Sequence, residues 1–169
     1  MRLTIIFIIL ILIFSSCKKR NETNPFIRTW YDTEQIIPIE ETLSIRSDST
    51  FIFNSLACQG GAKSSGKWKI SGDSLILNSN TPKGCFIISE FAVCLYPGEN
   101  KEIRTTIKGC EPNQNFSYSE FKNEIFYIKN DSLFHRPNKD WNCPDSLQIV
   151  FSKTKKVKVK FDRNNNLIK

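Results

Sequence analysis

Short apolar runs alternate with small clusters of turn-forming residues through most of this chain, and that spacing limits the fold more than any other feature. "IRSDSTFI" (Ile45–Ile52), "ISGDSLIL" (Ile70–Leu77), "IKNDSLFH" (Ile128–His135) and "NCPDSLQI" (Asn142–Ile149) each place Asp-Ser between two apolar segments. Asp and Asn side chains accept hydrogen bonds from backbone two residues on and tolerate left-handed geometry, and Ser does the same more weakly. The repeated pair therefore predicts exposed hairpin tips at Asp48, Asp73 and Asp131. A nucleophilic serine would need a base and a group to orient it, and one histidine, His135, cannot serve four sites. A calcium loop needs carboxylates at alternating positions and a glycine turn, which Asp73 lacks. The spacing of the four copies is irregular, which excludes a solenoid.

The segments between these turns are rich in β-branched and aromatic residues. "TLSIR" and "STFIFNS" flank Ser47-Asp48. "GKWKI" and "SLILNS" flank Ser71-Gly72-Asp73. "CFIISEFAVCLY" and "KEIRTTIKG" flank Pro97–Asn100. "NEIFYIK" and "SLFHR" flank Asn130-Asp131, and "SLQIVFSK" and "KVKVKF" flank Thr154-Lys155. This predicts an all-β fold of roughly ten strands joined mostly by hairpins. Sequential strands with short connections are antiparallel, since parallel pairs need long crossovers. Closure of such a meander into a barrel or rolled sheet removes its open edges. The best helical candidate after residue 25 is Phe116–Ile125, read as a single turn or loop. Period two puts Trp68, Ile70, Leu75 and Leu77 on one buried face, with Lys67 and Lys69 outside. In "KKVKVKF", Val157, Val159 and Phe161 face one way and Lys156, Lys158 and Lys160 the other, as on a solvated strand.

The N-terminus belongs to a different class. Arg2 precedes the apolar stretch Leu3–Phe14, which is followed by Ser15, Ser16 and Cys17. A span needs ~20 apolar residues, so this shorter core reads as a signal segment, residues 1–16, expected to form a signal helix ahead of the domain. Phe14-Ser15-Ser16-Cys17 resembles the lipobox of bacterial lipoproteins. The resemblance implies cleavage before Cys17 and lipidation of its thiol, and so a membrane attachment in the bacterial cell envelope. Residues 17–25 read as a flexible, lipidated tether, and 26–169 as one barrel domain. Lys18, Lys19 and Arg20 follow the cysteine where lipoproteins displayed at the cell surface carry acidic residues, which by resemblance favours a periplasm-facing protein. Loss of Arg2 from the 24 basic residues leaves 23 against 17 acidic ones, a balance of +6. That modest excess suits an anionic membrane surface or an acidic partner. Export makes nucleic acid an unsuitable partner.

Five cysteines remain after Cys17: Cys58, Cys85, Cys94, Cys110 and Cys143. In an oxidising envelope, bridges are the default, and the odd number leaves at least one thiol unpaired. A hairpin tip at Pro97–Asn100 brings Cys85 near Cys110, whereas a tight turn at Ser89-Glu90 would bring Cys85 opposite Cys94. Pro-Gly is the stronger turn signal, which favours Cys85–Cys110. No Cys-x-x-Cys is present, and His135, even with Cys143 eight residues on, makes no metal site. His135 reads as a surface or barrel-mouth residue.

The β region resembles the small lipocalin-like lipoproteins of bacterial envelopes. The likeness is carried by Trp30 in "RTWY", by "LSIRSDSTFIF" and by "SGKWKISGDSLIL" (Ser65–Leu77). It implies a lipocalin-like barrel and no particular binding residue. Thirteen Phe and three Trp could line a cavity for a small apolar ligand or peptide, or fill a solid core. The first alternative makes the protein a non-catalytic binding module without cofactor. The second fits a structural or inhibitory envelope protein that acts through its outer surface on a protein partner. An enzyme has little support: there is one histidine, no paired-carboxylate motif and no glycine-rich phosphate loop.

Overall fold

A computed structural model of the protein describes residues 24–33, 39–94, 103–138, 141, 143–144, 147–155, 160–161 and 167–168. These form β1 (Arg28–Asp32), β2 (Glu40–Ile45), β3 (Thr50–Ala57), β4 (Gly60–Ser71), β5 (Ser74–Ser79), β6 (Ile87–Glu90), β7 (Phe116–Glu120), β8 (Lys122–Lys129), β9 (Ser132–Arg136), β10 (Val150–Ser152), β11 (Lys160–Phe161) and β12 (Leu167–Ile168). The signal segment, Cys17, the lysine run around Val157 and Val159, the Pro97–Asn100 turn and the fourth Asp-Ser pair (Asp145-Ser146) lie outside the described residues.

Eight strands close into an antiparallel barrel. The order is β1-β2-β3-β4-β5-β8-β9-β10, with β10 paired back to β1. The all-antiparallel expectation fails outside this ring. β4 is twelve residues long: its second half pairs with β5, and its first half pairs in parallel with β7, which in turn pairs in parallel with β6. The long connection between β5 and β8 supplies the crossover that parallel pairing needs. Phe116–Ile125, the expected turn or loop, is therefore strand in β7 and β8, because pairing partners distant in sequence override its local pattern. Of the predicted strand Cys85–Tyr96, β6 forms before a turn at Phe91-Ala92, and among the described residues of Lys101–Gly109 there is one antiparallel bridge, Thr105 to Ile87.

Asp48, Asp73 and Asp131 are all exposed at hairpin tips. Asp48 Oδ1 accepts hydrogen bonds from the Thr50 amide (3.0 Å) and hydroxyl (2.6 Å), the two-residue reach that favours Asp in turns. Asn130 and Asp131 both have positive φ (48° and 62°), as a two-residue type I′ hairpin requires. These three hairpins, β2–β3, β4–β5 and β8–β9, lie at the same end of the barrel, since alternate connections of an antiparallel ring share an end. The start of β1 lies there too, with Arg28 opposite Ile45. The opposite end carries the connections β1–β2, β3–β4, β5–β8 and β9–β10, and we call it the mouth.

The barrel interior is filled by side chains. Period two sends Leu43 and Ile45 of β2, Phe51 and Phe53 of β3, Leu75 and Leu77 of β5, and Leu133 of β9 inward, where they join Trp30, Phe121, Phe126 and Phe151. Phe121 meets Phe51 and Phe53 edge-on at 5.1 and 5.4 Å, geometry that aromatic quadrupoles favour. Trp30 is fully buried, and its indole N–H donates to the Phe26 carbonyl at 3.0 Å. Gly66 is required where β4 crosses β5: a Cβ there would stand 2.0 Å from the Asn78 carbonyl oxygen and 2.7 Å from the Phe51 ring.

Trp68 and Ile70 need a correction. They face Leu77 and Leu75 as period two predicts, but this end of β4 stands at the edge of the core. Trp68 is only half-buried, with its N–H donating to the Arg46 carbonyl, and Ile70 is 42 % exposed. Leu75 and Leu77 are fully buried, and Lys67 and Lys69 are exposed as expected.

Candidate functional site at the barrel mouth

The alternation that buries Leu133 of β9 also turns His135 inward, and the alternation that buries Phe126 of β8 does the same to Glu124. Glu124 reaches that position through a bulge. Leu77 pairs with Glu124 but Asn78 pairs with Lys122, so Asn123 is the extra residue. Asn123 has φ 53°, a left-handed conformation that Asn tolerates. Its amide donates to Asn78 Oδ1 at 2.9 Å, and the Asn78 side-chain amide donates to Asn123 Oδ1 at 3.1 Å. Bulges of this kind re-aim neighbouring side chains.

His135 Nε2 lies 2.7 Å from Glu124 Oε2, and the two side chains are 1 % and 4 % exposed. The histidine expected at a surface or open mouth sits at the mouth end but beneath its surface, in an aromatic box. Its ring centroid is 5.5 Å from Phe91, 5.2 Å from Phe126 and 5.7 Å from Trp141. Nδ1 is the one buried side-chain nitrogen or oxygen among the described residues without a hydrogen-bond partner.

Phe91 covers the core from above. Its amide donates to the Glu120 carbonyl, and its ring stacks on Phe121 at 4.2 Å and meets Phe53 edge-on at 5.6 Å. Among the described residues, two depressions border Phe91 and a third lies beyond His135. One of about 190 Å³ lies between Glu90, Glu120, Lys122, Glu124, His135 and Trp141. A second, about 210 Å³, lies on the far side of His135 and Trp141, against Tyr127, Phe134 and Ile149. A third, about 310 Å³, lies across Phe91 and Ala92, against Glu41, Phe53, Ser55 and Ile149.

Two disulfides hold these walls. Cys85 is bonded to Cys110, although the strand register differs from the one that suggested the pair: Ile87 faces Thr105, a tighter arrangement than a tip at Pro97–Asn100 produces. Cys94 is bonded to Cys143. That bridge ties the segment bearing Phe91 to the segment bearing Trp141, and it was not legible in the sequence because the two cysteines belong to different connections. Cys58 is a free, exposed thiol at the β3–β4 turn.

Glu90, Glu120 and Glu124 line one depression of the mouth with Lys122, on a chain whose formal net charge is +7. Arg104 and Lys122 each pair with both Glu90 and Glu120, at 3.0 to 3.3 Å. These four charges cancel, and their partial exposure leaves each pair a small contribution to stability. The hydrogen bond to Glu120 is the main cause that raises the Lys122 ammonium above its ordinary value. Glu41 is apart from this network. Burial pushes its carboxyl up, against the lowering effect of a 3.0 Å hydrogen bond from Ser55 Oγ, and the nearby Asp32 charge adds to the rise. Among the described residues, no group of three His, Cys, Asp or Glu side chains could hold a metal ion. Cys143 is committed to Cys94 rather than to His135.

Compared with models of protein families, with curated proteins and with solved structures, the chain matches none.

Proposed function

We propose that the protein is a lipid-anchored, non-catalytic binding module of the bacterial cell envelope whose recognition surface is the barrel mouth. The observation that carries this reading is the contrast between the two ends. The tip end carries three tight hairpins, while the mouth carries a depression lined by Phe91, His135 and Trp141, with a second adjoining it at His135 and Trp141 and a third at Phe91. The core side chains occupy the interior, so the ligand is one that enters the mouth: a small molecule or one side chain of a peptide. A non-catalytic role is consistent with His135, whose Nδ1 makes no hydrogen bond to a hydroxyl or thiol among the described residues.

The anchor fits this arrangement. With lipid on Cys17, the tether joins the barrel at the start of β1, which is at the tip end. Exposed Arg28, Arg46, Lys67, Lys69 and Lys129 lie toward that end, where anionic headgroups attract Lys and Arg at ~1 kcal/mol each. The mouth then faces away from the bilayer.

The test uses lipidated protein purified from envelope in mild detergent. Native mass spectrometry should show a non-covalent adduct that Ile149→Trp combined with Val93→Trp, which together place bulk in all three depressions, removes and Asp73→Ala at a tip does not. An adduct retained by both variants, or absent from the wild type, overturns the mouth as the recognition surface. Radiolabelled palmitate should label the wild type and not Cys17→Ala; no label on the wild type overturns the anchor.

A second reading rests on Leu56 and Phe116, which flank Gly61 across three neighbouring strands and are 55 % and 43 % exposed. In that reading the protein is structural or inhibitory and acts through its outer surface on a protein partner. Leu56→Ser with Phe116→Ser should then abolish the biological effect and leave the mouth adduct untouched.

A further inference from the structure

We infer that the depression between Glu124, His135 and Trp141 binds a small organic cation: an ammonium or guanidinium head on a short apolar neck, either as a free amine or as a lysine or arginine side chain of a peptide. This deepens the proposed binding role and rests on it. Three independent observations converge. The first is the unpartnered Nδ1 of His135, on a side chain that is 1 % exposed and lines the depression. A buried polar atom without a partner is costly, and a ligand group is one way to satisfy it. When Nε2–H donates to Glu124, Nδ1 holds a free lone pair and accepts from an N–H.

The second is charge. Glu90, Glu120 and Glu124 line the depression with one ammonium, Lys122. Arg104 completes a neutral four-charge set with Lys122, Glu90 and Glu120, which leaves Glu124 as the carboxyl of this lining outside that set. A cation complements that group, and an anion would oppose it. The third is the aromatic lining: Phe91 and Trp141 border the same space, and ring faces attract cations most strongly where water is displaced. A volume of about 190 Å³ limits the occupant to one such head and its neck.

The test uses the disulfide-intact, lipidated protein in detergent and four probes: benzylammonium, benzyl alcohol, acetate and an acetylated, amidated peptide with one internal lysine. Trp fluorescence and the ¹⁵N resonances of His135 are followed during titration. Benzylammonium should bind with Kd on the order of 1 mM, about −4 kcal/mol, at least tenfold tighter than benzyl alcohol, and should shift Nδ1 toward a hydrogen-bonded acceptor. Binding of the peptide tenfold tighter than benzylammonium assigns the site to a side chain, and the reverse to a free amine. Equal binding of alcohol and ammonium, preferential binding of acetate, or a benzylammonium titration that leaves Nδ1 unmoved overturns the cation assignment while leaving a mouth ligand intact. No binding of any probe overturns the assignment as well, and the native adduct then decides separately whether the mouth binds at all. Because the neutral and charged probes are compared on the wild type, the result does not depend on a variant that folds poorly.

Discussion

His135→Phe isolates the energetics of the Glu124–His135 pair. The ring lies among Phe91, Phe126 and Trp141, so phenylalanine should fit with little loss of packing. What it removes is the partner of a carboxylate that is 4 % exposed. Breaking a buried pair from one side costs about 3–5 kcal/mol, because the surviving charge is left uncompensated. The expected loss at pH 7 is of that size, about 3–5 kcal/mol. Glu124→Leu with His135→Phe removes both charges and should lie within about 1.5 kcal/mol of wild type, as volume-conserving apolar exchanges do. Urea unfolding followed by Trp fluorescence, with disulfides intact and m unchanged, measures all three proteins. A loss under 1 kcal/mol for His135→Phe, or a double variant no more stable than the single one, refutes the claim that this pair is buried and mutually dependent.

Other consequences follow from the same packing. Gly66→Ala should cost about 1–3 kcal/mol in urea unfolding, because its methyl overlaps the Asn78 carbonyl and Phe51. Replacing Cys94 and Cys143 by serine opens a 49-residue loop, for which the chain-entropy estimate is about 4 kcal/mol; the variant should also give broadened Trp141 signals, and an unchanged midpoint counts against the bridge. Glu41 has a carboxyl raised by burial, so its protonated form is favoured in the folded state. Its stabilising contribution is fully present below the ordinary value of 4.5 and is lost as pH rises through the raised one. Wild type should therefore lose stability relative to Glu41→Gln across that window, and parallel curves for the two proteins would contradict a buried carboxyl. Asn123→Val should destabilise the protein by about 1–2 kcal/mol more than Asn123→Gly in the same assay, since a β-branched residue resists positive φ.

Much of the barrel follows from local rules that a sequence displays. Asp48, Asp73 and Asp131 mark tips because short polar side chains bond backbone two residues away, and that chemistry needs no distant partner. Period two in "STFIFNS" and "SLILNS" assigns Phe51, Phe53, Leu75 and Leu77 to the inside, because a strand has only two faces. The inward turn of His135 and Glu124 was legible in the same alternation, in step with Leu133 and Phe126. It was missed because a histidine followed by Arg-Pro reads as a strand end rather than as core.

Other features were decided by distant partners. Phe116–Glu120 has a weak local pattern and becomes strand because β4 extends past β5 and offers its first half to β7, while Lys122–Ile125 is the start of β8 between β5 and β9. Trp68 and Ile70 have the right face but stand at the edge of the packed interior, Trp68 half-buried against it and Ile70 exposed, and alternation states a direction without saying where the core stops. Cys94–Cys143 joins two connections that meet because the pairings β5–β8, β8–β9 and β9–β10 carry both to the same end. The sequence by itself determined an antiparallel β fold, its hairpin tips and most of its core face, because these depend on residues within a few positions of one another. Only the tertiary structure decided that the interior is filled, that the long connections gather at one mouth, and that a carboxylate and an imidazole are buried together beneath it. Those outcomes depend on pairings between distant strands: closure of the ring sets the volume left for side chains, and the antiparallel order sets the end to which each connection is carried.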